Sequence, residues 1–79
     1  MTDSDEKAIR NELKIDARAI GIPSGAAAIF IDRTISDAKR YLATKKTVTH
    51  KTVKHAIYRE LKKYNADLAY VYQNRDTII

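Results

Sequence analysis

Cysteine and tryptophan are absent from this 79-residue chain, which has only one proline and two glycines. Without cysteine, neither a disulfide bond nor a thiolate metal site can form. The two glycines, Gly21 and Gly25, are too few to build a glycine-rich phosphate-binding loop. No apolar run approaches the roughly 20 residues of a membrane-spanning helix, and the acidic start of the chain lacks the apolar core of a signal peptide. We therefore expect a cytoplasmic protein that does not enter a membrane.

The side chains that usually carry catalysis are few and poorly arranged for it. The serines at Ser4, Ser24 and Ser36 lack the flanking glycines of a nucleophile elbow. On a helix, the side chains of His50 and His55 would point about 140° apart, which does not suit ligation of a shared metal ion. We therefore expect a non-enzymatic protein with no catalytic residues, no metal ligands and no cofactor.

Hydrophobic periodicity predicts four helical segments within a single domain that spans residues 1–79. The segments are expected at roughly residues 4–20, 25–44, 50–64 and 66–75. No stretch shows the sustained alternation of a β-strand. The sequence thus predicts an all-α fold, a compact bundle of three to four short helices joined by tight turns.

Spacings of three and four residues indicate which side chains face the core. In the first two helices they are Ile9, Leu13, Ala17 and Ile20, and then Ala28, Ile31, Ile35, Ala38 and Leu42, with Ala27, Phe30 and Tyr41 beside them. In the last two they are Val53, Ile57, Leu61 and Tyr64, and then Leu68 and Ala69 with Tyr72 or Val71.

Helix ends are indicated by capping residues and by Gly21, which is expected to end the first helix. The predicted N-caps are Asp3, with Glu6 completing a capping box, then Ser24 and Thr49. Asn65 is expected to end the third helix and to cap the fourth.

Positive charge is concentrated in the second half of the chain. Residues 1–40 hold seven basic and seven acidic side chains, whereas residues 41–79 hold eight basic and three acidic ones. Between Lys39 and Lys63 there are nine basic residues and one acid, Glu60. This asymmetry favours an anionic partner. The alternative is a solvated helix face whose lysines only aid solubility.

The third predicted helix presents apolar residues to the core and basic residues to the opposite side. The candidate binding residues on this helix and in the loop before it are Lys45, Lys46, Lys51, Lys54, His55, Tyr58, Arg59 and Lys62, here called the basic face. Cations in such a stripe neutralise phosphates, and an aromatic ring among them can stack on a base. We therefore predict nucleic-acid binding, to DNA above all, through the basic face.

Residues 47–75 read TVTHKTVKHAIYRELKKYNADLAYVYQNR. This segment resembles the end of an ATP-cone domain, which is a regulatory module of ribonucleotide reductases and related repressors. Val53 and Leu61 match the threonine-capped helix of that family, and Ala69, Tyr72 and Arg75 match its final helix. The family's N-terminal strand pair has no counterpart in residues 1–20, which show a helical pattern. The resemblance implies a regulatory or oligomerisation module, with a nucleotide as a candidate ligand.

A second resemblance concerns the loop that follows the long middle helix. Its sequence Lys45-Lys46-Thr47-Val48 is similar to the basic-basic-Thr-Ile loop of archaeal histones, and this likeness implies DNA binding. A further reading is a protein-interaction module that forms a homodimer through Ala27, Phe30 and the apolar pair at residues 78–79. Nucleic-acid binding, regulation and self-association all remain open from the sequence.

Overall fold

The computed structural model describes residues 2–74, which form four α-helices and the turns and loops that join them. The helices are α1 (Asp3–Ala19), α2 (Ser24–Leu42), α3 (His50–Tyr64) and α4 (Ala66–Asn74). No β-strand occurs between residues 2 and 74. The predicted all-α bundle is therefore confirmed, and the bounds of α3 agree with the sequence pattern to the residue. Within this part of the chain, no helix is both long and apolar enough to cross a membrane.

The helices form a closed ring around one hydrophobic core. Helix α1 packs against α2 and α4, and α3 packs against the same two neighbours. Each helix contributes a fully buried side chain, for which Leu13, Ile31, Ile57 and Leu68 are examples. Burying one such aliphatic side chain stabilises the fold by about 1.5–3 kcal/mol. Thr34 is buried with them, and its hydroxyl oxygen has no hydrogen-bond partner within residues 2–74.

Two of the predicted core positions are wrong. Ile20 is 38% exposed, because α1 ends at Ala19 and Ile20 follows as its C-cap. Ala28 is exposed, whereas Ala27 is buried, so the inward stripe of α2 starts one residue earlier than predicted. The homodimer hypothesis required Ala27 on the surface, and the burial of Ala27 contradicts that part of it. The hypothesis also involved residues 78–79, which lie outside the described residues.

The N-terminal cap of α1 differs from the prediction. Thr2, not Asp3, is the N-cap, and its hydroxyl accepts a hydrogen bond from the Asp5 amide at 3.1 Å. The Asp5 carboxylate, in place of Glu6, accepts from the Thr2 amide at 3.2 Å. These hydrogen bonds with Thr2 lower the pKa of Asp5. The helix therefore begins one residue before the predicted start.

The turn between α1 and α2 depends on Gly21 and Pro23. Gly21 has a φ of +82°, a left-handed conformation that costs glycine little. The Ile22 amide then donates to the Ala17 carbonyl at 2.9 Å, which closes a Schellman motif. The predicted cap Ser24 is instead the first residue of α2, and Pro23 at the N-cap position offers no side-chain hydrogen bond.

The caps of the second half of the chain are as predicted. The Thr49 hydroxyl accepts a hydrogen bond from the Thr52 amide at 3.2 Å, and the Thr52 hydroxyl accepts one from the Thr49 amide at 3.4 Å. The Asn65 side chain accepts from the Leu68 amide at 3.0 Å, so Asn65 both ends α3 and caps α4. These two caps fix where α3 begins and ends, and therefore which of its residues face solvent.

Ion pairs tie α1 to α2 on the surface. Glu6 pairs with Lys39, and Arg10 pairs with Asp32. The hydrogen bond from Lys39 is the main cause that lowers the pKa of Glu6. Carboxylates on these two helices thus neutralise cations of their own half of the chain.

Candidate nucleic-acid interface

The outer side of α3 carries the central part of the basic face. At 100° per residue, Lys51, His55, Tyr58 and Lys62 fall within about 60° of one another. Lys51, His55 and Lys62 are exposed. Tyr58 is half-buried and packs against the core, and the Lys62 ammonium lies 5.9 Å from the centroid of its ring. The structure therefore brings these four predicted residues together on one side of one helix.

The edge of the basic face next to α2 is organised around Tyr41. The Lys45 ammonium lies 4.8 Å from the centroid of the Tyr41 ring, and the Arg59 guanidinium carbon lies 4.7 Å from it. The ring is half-buried against the core. Hydrogen bonding by Lys45 is the main cause that lowers the pKa of Tyr41, and the charges of Lys45 and Arg59 add to it. Tyr41, which was predicted only as a residue of the bundle, thus contacts both Lys45 of the loop and Arg59 of α3.

The edge next to α4 is organised around a buried ring. Tyr72 is 1% exposed, and the Lys54 ammonium lies 5.8 Å from its centroid. The Lys54 side chain is partly buried. A shallow groove of about 290 Å³ runs along this edge, and its lining residues are Lys51, Lys54, His55, Tyr58, Tyr72 and Gln73. The groove joins four predicted binding residues to two from α4.

Most cations of the basic face are not neutralised within the bundle. The ones that form no ion pair with any carboxylate of residues 2–74 are Lys45, Lys46, Lys51, Arg59 and Lys62, here called the unpaired cations. Elsewhere, Lys39 and Arg40 are paired with Glu6 and Asp37. On α3 itself, Lys63 pairs with the buried carboxylate of Glu60 at 2.9 Å. The positive charge of α3 is therefore concentrated on its solvent side.

The first turn of α3 reinforces this positive potential. It contains no acidic residue, and the N-terminus of a helix carries partial positive charge. The exposed side chains of His50 and Lys51 lie in that turn. Anions are therefore favoured at both the beginning and the middle of the helix.

The two histidines do not lie in a cluster of potential metal ligands within residues 2–74. No cluster of three or more potential ligands (His, Cys, Asp or Glu) occurs in the part of the chain from residue 2 to residue 74. His50 instead lines a cavity of about 350 Å³ between the beginnings of α1 and α3, together with Asp5, Glu12 and Lys54. Because its walls carry both signs of charge over an apolar floor that includes Ile9, this cavity lacks the uniform charge of the basic face.

Three residues of the interface were not predicted from the sequence as binding residues. Tyr41, Tyr72 and Gln73 come from α2 and α4 and meet α3 only through packing. Tyr41 offered one signal, since it lies only four residues before the loop cation Lys45. Nothing in the sequence indicated that Lys54 would lie over Tyr72.

The fold and the site together define a small four-helix bundle with one cationic face bordered by tyrosines. Comparison of the chain with models of protein families, with curated proteins and with solved structures finds no match. The resemblances to the ATP-cone domain and to the histone fold therefore rest on their sequence motifs alone and stay predictions.

Proposed function

We propose that this protein is a non-enzymatic module that binds duplex DNA through the basic face. The observation that carries the proposal is the set of unpaired cations on and just before α3. A phosphate that meets such a side chain releases condensed counterions, which favours association without any competing intramolecular ion pair. Paired cations, such as Lys39, would first have to leave their carboxylates.

The shape of α3 suits the major groove. Its 15 residues correspond to a rod about 22 Å long, and the major groove is about 12 Å wide, which admits one helix. No other helix of residues 2–74 covers its outer side, where Lys51 and His55 lie one turn apart. In this arrangement the side chain of His55 faces base edges, whereas the unpaired cations, Lys51 among them, meet phosphates on either side.

The experiment is a charge reversal at three exposed cations of the basic face. The variant Lys46→Glu, Lys51→Glu, Lys62→Glu leaves Lys54 intact, because Lys54 contacts the buried Tyr72. Binding of a dye-labelled duplex is measured by anisotropy, and helicity by circular dichroism. Binding is expected to be lost and helicity to be retained, since all three side chains point to solvent.

The matched control reverses three exposed cations of α1, namely Lys7, Lys14 and Arg18. This control variant changes the net charge by the same amount as the first variant, but its three substitutions lie on a different helix. If both variants lose affinity equally, only the total charge matters and the assigned face is wrong. If duplex binding survives the α3 variant, the proposal is refuted directly.

The alternative is an ATP-cone-like regulatory or oligomerisation module. It places a nucleotide near Lys39, Arg40 and Arg75, and a titration with ATP followed by amide shifts tests it. Lys39 and Arg40 are engaged with Glu6 and Asp37, and Arg75 lies outside the described residues. Shifts clustered at Lys39 and Arg40 would support this alternative. Homodimer formation is tested by sedimentation at several protein concentrations.

A further inference from the structure

Tyr41, Lys45 and Arg59 form a cluster in which two cations contact one aromatic ring. The two distances to the ring centroid, 4.8 Å and 4.7 Å, are nearly equal. Lys45 comes from the loop after α2 and Arg59 from the third turn of α3. Because the Tyr41 ring packs against the core, it holds both flexible cations at a fixed place on the surface.

Neither cation in this cluster pairs with a carboxylate of residues 2–74. Lys45 and Arg59 belong to the unpaired cations, and both lie over the ring of a neutral phenol. Contact with Lys45, and then with Arg59, lowers the pKa of Tyr41. The phenol oxygen therefore sits in a positive potential, where a negatively charged oxygen is favoured.

We propose that Tyr41, Lys45 and Arg59 form a seat for one phosphate of the nucleic-acid backbone. The Lys45 ammonium, the Arg59 guanidinium and the Tyr41 hydroxyl each donate a hydrogen bond to its non-bridging oxygens. Arginine is suited to this role because its planar fork matches phosphate geometry. The identity of the ligand rests on the proposed function, whereas binding of a phosphate oxyanion does not.

Substitutions separate the hydroxyl from the charge. Tyr41→Phe keeps the ring but removes the donor, and it is expected to weaken duplex binding about tenfold, since a hydrogen bond to a charged group is lost. Because no charge is removed, the slope of log affinity against log salt should not change. Lys45→Gln, Arg59→Gln removes both cations that neutralise this phosphate, and it should also reduce the magnitude of that slope by about 0.9.

The matched controls lie outside the cluster. Tyr70→Phe alters a tyrosine of α4 that is 67% exposed, and Arg33→Gln alters an exposed arginine of α2. Both are expected to bind duplex with nearly wild-type affinity. If Tyr41→Phe also binds like the wild type while the α3 charge reversal abolishes binding, the seat is wrong and the proposed function stands.

A titration with inorganic phosphate tests the seat without nucleic acid. Side-chain resonances of Tyr41, Lys45 and Arg59 are followed by NMR at constant ionic strength set with chloride. Shifts confined to these three residues support the seat even if the protein binds no duplex, and absence of such shifts overturns it. ATP in the same titration should act only as weakly as phosphate. Tight saturation by ATP would overturn the assignment to a nucleic-acid backbone.

Discussion

Salt dependence provides the strongest quantitative prediction for the basic face. Each phosphate neutralised on duplex DNA contributes about −0.9 to the slope of log affinity against log salt. The unpaired cations are Lys45, Lys46, Lys51, Arg59 and Lys62, and Lys45 and Arg59 share one phosphate in the proposed seat. If all of them engage phosphates, four phosphates are neutralised and the slope is about −3.6. Raising the salt concentration from about 50 to about 200 mM should then lower the affinity roughly 150-fold.

The same reasoning distinguishes duplex from single strand. A single strand contributes about −0.7 per phosphate, so the same four phosphates give a slope of about −2.8 and a loss of roughly 50-fold over that salt range. Anisotropy of dye-labelled duplex and single-stranded oligonucleotides of equal length, measured at four or more salt concentrations, gives both slopes.

A neutral variant calibrates the count of contacts. The variant Lys46→Gln, Lys51→Gln, Lys62→Gln leaves only the phosphate shared by Lys45 and Arg59, so the duplex slope should weaken to about −0.9. A wild-type slope near zero, or a variant slope equal to that of the wild type, would refute the assignment of phosphate contacts to the basic face.

Two further predictions concern stability. Thr34→Val removes a buried hydroxyl that has no partner within residues 2–74, and it should raise the free energy of unfolding by about 1 kcal/mol and Tm by roughly 4–8 °C, whereas Thr34→Ser should lower both. A lower Tm for the valine variant would contradict this account. Glu6→Gln removes a carboxylate whose pKa Lys39 lowers. Ionised Glu6 stabilises the fold above its ordinary pKa and loses that effect as pH falls through the lowered value, so the variant should show a flatter decline of Tm between about pH 5 and pH 3. Equal declines would argue against the Glu6–Lys39 contact.

Local signals predicted the framework of the molecule well. Thr49 and Asn65 were correctly identified as caps, because each is a residue type with a short polar side chain next to a strongly periodic segment. The burial of Ile57 and Leu61 followed from the same periodicity. These features depend on neighbours within a few positions, which the sequence displays directly.

The errors occurred where several adjacent residues compete for one role. Residues 2–5 are Thr, Asp, Ser and Asp, each of which can cap a helix. The backbone conformation selects among them, and Thr2 is the residue with extended dihedral angles. In α2, a run of alanines left the phase of the stripe undecided, so Ala28 was predicted to be buried as well as Ala27.

The edges of the candidate site needed tertiary information. Tyr41 and Arg59 are far apart in sequence, and their contact depends on how α2 packs against α3. Lys54 and Tyr72 likewise meet only because α3 packs against α4. The sequence therefore predicted which cations share a helix face. It did not predict that Arg59 would contact the Tyr41 ring or that Lys54 would contact the Tyr72 ring.

The tyrosines that border α3 have a practical consequence. The chain has five tyrosines, one phenylalanine and no tryptophan, so its near-ultraviolet emission comes almost entirely from phenol rings. Tyr41, Tyr58 and Tyr72 each lie beneath a cation of the basic face. Arrival of a ligand at this surface should therefore change the native emission of the protein, and an unmodified chain can report its own occupancy.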